Sequence, residues 1–243
     1  MSNDFKVILI PHTIIGVLQA LTGPLLTTNP QPDVWAILRR AYMVLVWNGL
    51  NLLTFNVANQ RLPPSIAEDS VNKPWRPIAS GLITAVEAKR ILLVLVPLTY
   101  AVSVLWTGAA FETLGMIAMT WLYNDLDGGD ESVLLRHGLN GCAFALHTYA
   151  STMIAANEQN SLLWGMLHPE SQTRVYMTPL ALRWLAVQAC AIATTIHAMD
   201  LPDIEGDSKR NRRTLPLDVV CMAHGNLRAP LGRKFENGMM GAK

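Results

Sequence analysis

IHAMDLPDIEGDSKRNRRTLP, residues Ile196–Pro216, sets an apolar run ending at Met199 directly before Asp200, Asp203, Asp207, Lys209, Arg210, Arg212 and Arg213. If the helix continues past Met199, Asp200, Asp203 and Asp207 stand at i, i+3 and i+7, which places three carboxylates on one face. Unscreened, they repel. Divalent cations between them make the arrangement favourable, because Mg²⁺ takes oxygen ligands from one or two carboxylates and fills its shell with water and phosphate oxygens. The bases that follow suit a phosphate: Arg offers planar paired donors, and Lys a point charge. Acids followed by bases therefore read as a magnesium diphosphate cradle. The same residues also read as a solvated helix end of mixed charge.

What precedes this stretch is too apolar for an ordinary soluble domain. The chain of 243 residues is 51% hydrophobic and 15% charged, against roughly 25% charged in soluble proteins. A net charge of +1 and the absence of a basic run interleaved with aromatics argue against nucleic acid as a partner. Cys142, Cys190 and Cys221 lack metal-ligand spacing and are expected to be small buried thiols. The first apolar run begins at Val7 without a basic leader or a small-residue cleavage site, so the first helix is expected to remain as an anchor.

Crossing a bilayer takes about 20 mostly apolar residues. Six segments approach that length: Lys6–Thr27, Val34–Phe55, Ala88–Trp106, Ala109–Tyr123, Leu134–Ala155 and Pro179–Met199. They define an all-α, integral membrane helical bundle with the lipid bilayer as a partner. Alternating spans put Arg61, Lys73, Arg76, Lys89, Arg90, Arg136, Lys209, Arg210, Arg212 and Arg213 on the side of Lys6, whereas Arg39, Arg40, Arg174 and Arg183 fall on the other. The richer side is expected to face the cytosol. The same parity gathers the polar stretches 56–81, 123–136 and 200–216 at one face, where they are expected to form one site.

In the first of these, Asn56, Asn59 and Gln60 share a helical face, Pro63 and Pro64 end the helix, and Glu68-Asp69 precede Asn72-Lys73-Pro74-Trp75-Arg76-Pro77. Proline on both sides of Trp75-Arg76 stiffens the backbone that presents the guanidinium, which suits anion capture; a solvated connector is the alternative. The stretch Tyr123–Glu131 has turn chemistry, and its acids either assist a metal or keep a tight turn in water. None of the histidines pairs at ligand spacing, and His197 is expected to pack rather than act as a base.

Two of these stretches resemble the UbiA superfamily of intramembrane prenyltransferases. DLPDIEGDSKRNRRTLP is similar to the family's second aspartate-rich motif, and NKPWRPIASG, Asn72–Gly81, resembles the segment that follows the first. The first motif departs from the usual pattern, with NVANQRLPPSIAED in its place, a form similar to a fungal branch that includes membrane-bound sesquiterpene cyclases of secondary metabolism. The resemblance implies magnesium ligation by Asp200, Asp203 and Asp207 with Asp69 and Glu68, catalytic roles for Asp200 and Asp203, and diphosphate contacts from Lys73, Arg76, Lys209 and Arg212. Tyr123 and Arg136 are looser candidates for the diphosphate. About six of the family's nine spanning helices are expected in 1–217, an incomplete domain, with 218–243 an irregular polar tail.

The resemblance implies Mg²⁺-dependent ionisation of an allylic polyprenyl diphosphate in a membrane cavity, the expected membrane being the endoplasmic reticulum. The altered first motif tilts the reading toward cyclisation of farnesyl diphosphate to a terpene. Prenyl transfer to an aromatic or other small acceptor is the alternative, and a shortened, non-catalytic membrane homologue is the other. A soluble helical synthase fits poorly, because the segments are apolar almost all round. A transporter would carry its charges near the midplane.

Overall fold

The structure, a computed structural model, describes residues 5–157, 162–167, 174–210, 212 and 214–223. Among the described residues the chain is helical, and the one strand-like feature is a single bridge between Thr27 and Met177. The helices are α1 (Phe5–Leu21), α2 (Val34–Gln60), α3 (Pro63–Asn72), α4 (Ala85–Val102, continued by a wider turn through Thr107), α5 (Ala110–Asn124) and α6 (Gly128–Glu131). They continue as α7 (Val133–Ala156), α8 (Leu162–Leu167), α9 (Pro179–Thr195), α10 (Ile204–Arg210) and α11 (Leu215–Ala223). Every expected span falls on a helix. Residues 224–243, most of the expected tail, lie outside the described residues, as do Asn211 and Arg213.

Among the described residues, three helices are long and apolar enough to cross a membrane: Val34–Gln60, Ala85–Thr107 and the run Pro179–Arg210 that includes α9 and α10. Helix α1 is shorter, and α5 has 15 residues. Helix α7 reaches 24 residues but gives its inward face to polar groups. It forms the hub, touching α1, α2, α5 and α9. Trp47, Val44 and Ile37 of α2 are fully buried against Ala150 and Ile154 of α7, Val17 and Ala20 of α1, and Met116 of α5.

Small residues let these helices meet. A Cβ on Gly16 would stand 2.4 Å from the Ser151 Cβ, and one on Gly141 would stand 2.5 Å from the Ala189 carbonyl oxygen. Close backbone approach of this kind, with side-chain hydrogen bonds between helices, is how helices associate where lipid removes the hydrophobic drive. Asn48 donates to Ser151 at 2.9 Å, Thr152 donates to Gln19 at 2.7 Å, and the Trp47 indole N–H donates to Thr113 at 2.8 Å. Histidines pack within this hub too: His147 Nδ1 meets Asn48 Oδ1 at 2.8 Å, and its ring lies against His12 and Trp47.

The outer faces are apolar. Leu93 and Val94 of α4 and Leu182, Trp184 and Val187 of α9 are exposed, as a helix surface facing acyl chains requires. This inversion corrects one expectation from the sequence: Cys142 and Cys190 are not buried thiols but sit exposed on α7 and α9, because apolar side chains need no protein cover in lipid. The Cys221 side chain lies outside the described residues.

A second correction falls in 56–81. Pro63 and Pro64 do close α2, yet they also open α3, a ten-residue helix inside what the sequence suggested was a connector. At the first helical turn proline loses nothing, since its missing N–H would have no partner there. Helix α3 packs on α10, and this contact brings the two motif regions together.

Candidate functional site

One end of the bundle carries the C-terminus of α2, helix α3, the α5–α6–α7 junction and the start of α10. Here the acids and bases from all three polar stretches interlock. Asp69, buried on α3, receives Arg76 Nη1 on both carboxylate oxygens at 2.8 and 3.0 Å. Burial pushes the Asp69 carboxyl above its ordinary pKa, a shift that the Arg76 charge offsets only in part. Glu68 is bound by Arg210 at 3.0 Å and Arg212 at 3.2 Å, and the same two guanidiniums hold Asp130 at 2.8 and 2.7 Å. Lys73 meets Asp203 at 2.5 Å, and Arg61 pairs with Asp125.

On the inner side, Arg136 of α7 donates to the Tyr123 hydroxyl at 2.9 Å and to Asp200 at 2.5 Å. Tyr123 is held by the edge-on ring of Phe55 and by Gly129, where a Cβ would stand 2.7 Å from the phenol ring. Asp127 adopts the left-handed backbone (φ 55°), which Asp tolerates, and the short turn it begins carries Asp130 toward the two arginines.

The geometry revises the single carboxylate face. From Ile196 to Asp203 the chain winds as a 3₁₀-helix containing Pro202, and it becomes α-helical only at Ile204. The change in winding sends Asp200 to Arg136, Asp203 to Lys73 and Asp207 to Arg212 at 3.4 Å. Each carboxylate thus faces its own base. Among the described residues no three Asp, Glu, His or Cys side chains converge into a ready metal cluster.

The donor set nevertheless fits a hard cation. Asp200 Oδ2, Asp207 Oδ2 and Asn124 Oδ1 are buried and accept no hydrogen bond. Oxygens taken from water without a partner are costly. Mg²⁺ needs only one or two carboxylates, its remaining positions going to water and phosphate.

Of the residues expected in the site, Glu68, Asp69, Lys73, Arg76, Tyr123, Arg136, Asp200, Asp203, Asp207 and Arg212 come together. Lys209 does not join the pairs and is exposed. Sequence reasoning gave no specific contact to Arg210, Asp130, Ser65 or Asn124. Helical spacing carries a signal for the first: Arg210 lies one turn beyond Asp207, whereas Lys209 falls about 200° round the helix from it.

An apolar, lipid-facing bundle with carboxylates and guanidiniums gathered at one end is the build of an integral membrane protein with a charged site at the end of its helices. The chain belongs to the UbiA prenyltransferase family, which matches residues 16–220. It is 28% identical over 220 residues to the polyprenyl transferase eriF of Hericium erinaceus, covering 88% of this chain and 65% of that protein. It is 31% identical over 173 residues to the fumagillin beta-trans-bergamotene synthase af520 of Aspergillus fumigatus, covering 71% of this chain and 53% of that protein. It is 26% identical over 216 residues to the diterpene cyclase eriG of Hericium erinaceus, covering 88% and 60%. The chain therefore spans between about half and two thirds of the length of these relatives. No solved structure matches it.

Proposed function

We propose that this chain carries the diphosphate-ionising site of an enzyme that takes an allylic polyprenyl diphosphate, farnesyl diphosphate foremost, and closes the resulting cation on itself to give a terpene. The observation that carries the reading is the pair of unpartnered buried oxygens, Asp200 Oδ2 and Asp207 Oδ2, set among the bases at one end of an apolar bundle. On this reading Asp200, Asp203 and Asp207, with Asp69 and Glu68 across the site, hold Mg²⁺. Bound there, the metal would supply Lewis-acid stabilisation of the charge that grows on the leaving diphosphate.

The protein's own part is electrostatic and steric. Lys73, Arg76, Arg136 and Arg212 sit in the site already oriented by carboxylate partners, and they exchange those partners for diphosphate oxygens. Because each base starts paired, the exchange is favourable only when the released carboxylates also find a cation, since an uncompensated buried charge is strongly destabilising. No nucleophilic side chain is required.

Prenyl transfer to a small acceptor is the second reading, favoured by the similarity to eriF, which is named a polyprenyl transferase. Incubating membranes that contain the chain with farnesyl diphosphate and Mg²⁺, without acceptor, separates the two. Volatile hydrocarbon supports cyclisation. Product that forms only on adding an aromatic acceptor supports transfer, and no consumption under either condition contradicts both. We further propose the endoplasmic reticulum membrane as the location, with the charged end of the bundle facing the cytosol.

A further inference from the structure

Asn72, the last residue of α3, bridges to the second motif in a way that the ionisation chemistry does not itself require. Its Nδ2 donates to the Asp203 backbone oxygen at 2.9 Å, and its Oδ1 accepts the Gly206 N–H at 3.0 Å. These partners fix which way the amide points, because a carbonyl can only accept and a backbone N–H can only donate. Gly206 is the third residue of α10, which runs on without a break from the 3₁₀ turn that ends at Asp203.

Asp203, the last residue of that turn, is thus held at its backbone by α3, while its carboxylate meets Lys73 at 2.5 Å. Room for the Asn72 carboxamide exists because residue 206 is glycine: a Cβ there would stand 2.3 to 2.7 Å from it. We infer that Asn72 clamps the 203–206 turn onto α3, and that this clamp supplied from another helix keeps the Asp203 carboxylate facing the site. Without it, the turn shifts on α3 and the carboxylate withdraws from Lys73. Asn72 is thus a positioning residue that acts through Asp203. The inference rests on the proposed role of Asp203 only for its effect on ligand binding.

Two measurements on the full chain, purified in detergent, test it. In the first, inorganic diphosphate is titrated by calorimetry in the presence of Mg²⁺. Asn72→Ala is expected to weaken binding by about tenfold or more, the scale of losses seen when a group that orients a ligand is removed. In an Asp203→Ala background the same substitution should add no further loss, because no carboxylate remains to be held in place. An equal loss in both backgrounds overturns the inference. Gly206→Ala, which displaces the carboxamide without removing it, should repeat this pattern and serves if Asn72→Ala does not fold.

The second measurement uses no ligand. Lys73→Met should lower the melting temperature of the wild-type chain and leave that of Asn72→Ala unchanged, the pair having already come apart. A drop of equal size in both overturns the inference. If the wild-type chain binds no diphosphate, the proposed function fails and this ligand-free comparison alone decides the clamping role.

Discussion

Arg210 illustrates how far single residues could be read in advance. Its side chain is almost wholly buried, and its donors reach Ser65 at 2.7 Å, Glu68 at 3.0 Å and Asp130 at 2.8 Å. Which member of a Lys-Arg pair turns inward depends on the helical register relative to Asp207, and the onset of α10 is hidden because the preceding turns wind as 3₁₀. Arg210→Ala should cost about 3 to 5 kcal/mol of stability by leaving buried carboxylates short of a partner. Lys209→Ala, at an exposed position, should stay within about 0.5 kcal/mol. Thermal unfolding of the two variants side by side in detergent checks the contrast, and equal losses would reverse the assignment of the inward base.

Asp69 gives a prediction in pH. Because burial raises its pKa in the fold, Asp69 binds a proton more readily in the folded chain than in the unfolded one. Its contribution to stability is therefore present at low pH and is lost as pH rises through the folded value. The melting temperature of the ligand-free chain, compared with that of Asp69→Asn, should fall relative to the variant as pH rises through the acid range. A difference that grows in favour of the wild type over the same range would mean that the Arg76 charge outweighs burial.

Among elements, hydropathy alone placed the helices well. Val34–Phe55 is contained in α2, Leu134–Ala155 lies within α7, and Ala109–Tyr123 departs from α5 by one residue at each end. A stretch too apolar for water and bounded by turn residues leaves the backbone few options. Helix α3 was not legible in the same way, because Pro63-Pro64 signals a stop as strongly as a start and the eight helical residues that follow are mostly polar. Its helical state depends on contacts with α10, far along the chain. The pairing of α7 with α9 rests on Gly141, so Gly141→Leu should force the two apart and cost about 1 to 3 kcal/mol as an overpacked contact. Melting temperature reports this, and a cross-link between cysteines introduced on the facing turns should weaken with it. An unchanged cross-link would show that the helices do not approach at that point.

Across the whole molecule, the polar stretches 56–81, 123–136 and 200–216 were expected on one face from the parity of six spans, and the ion pairs between Glu68, Asp130, Arg210 and Arg212 join all three. What parity could not supply is the pairing itself. Charges expected to wait for a ligand instead neutralise one another, because a buried site must stay compensated when it is empty of substrate. On the proposed reading, that coupling makes metal and diphosphate binding depend on each other.

Titrating the purified chain with inorganic diphosphate, with and without Mg²⁺, tests this most directly. The expected result is that Mg²⁺ tightens diphosphate binding by at least about tenfold and that Asp200→Ala removes the gain. Diphosphate binding that is equally tight without the metal, or a gain that survives in Asp200→Ala, would contradict the account.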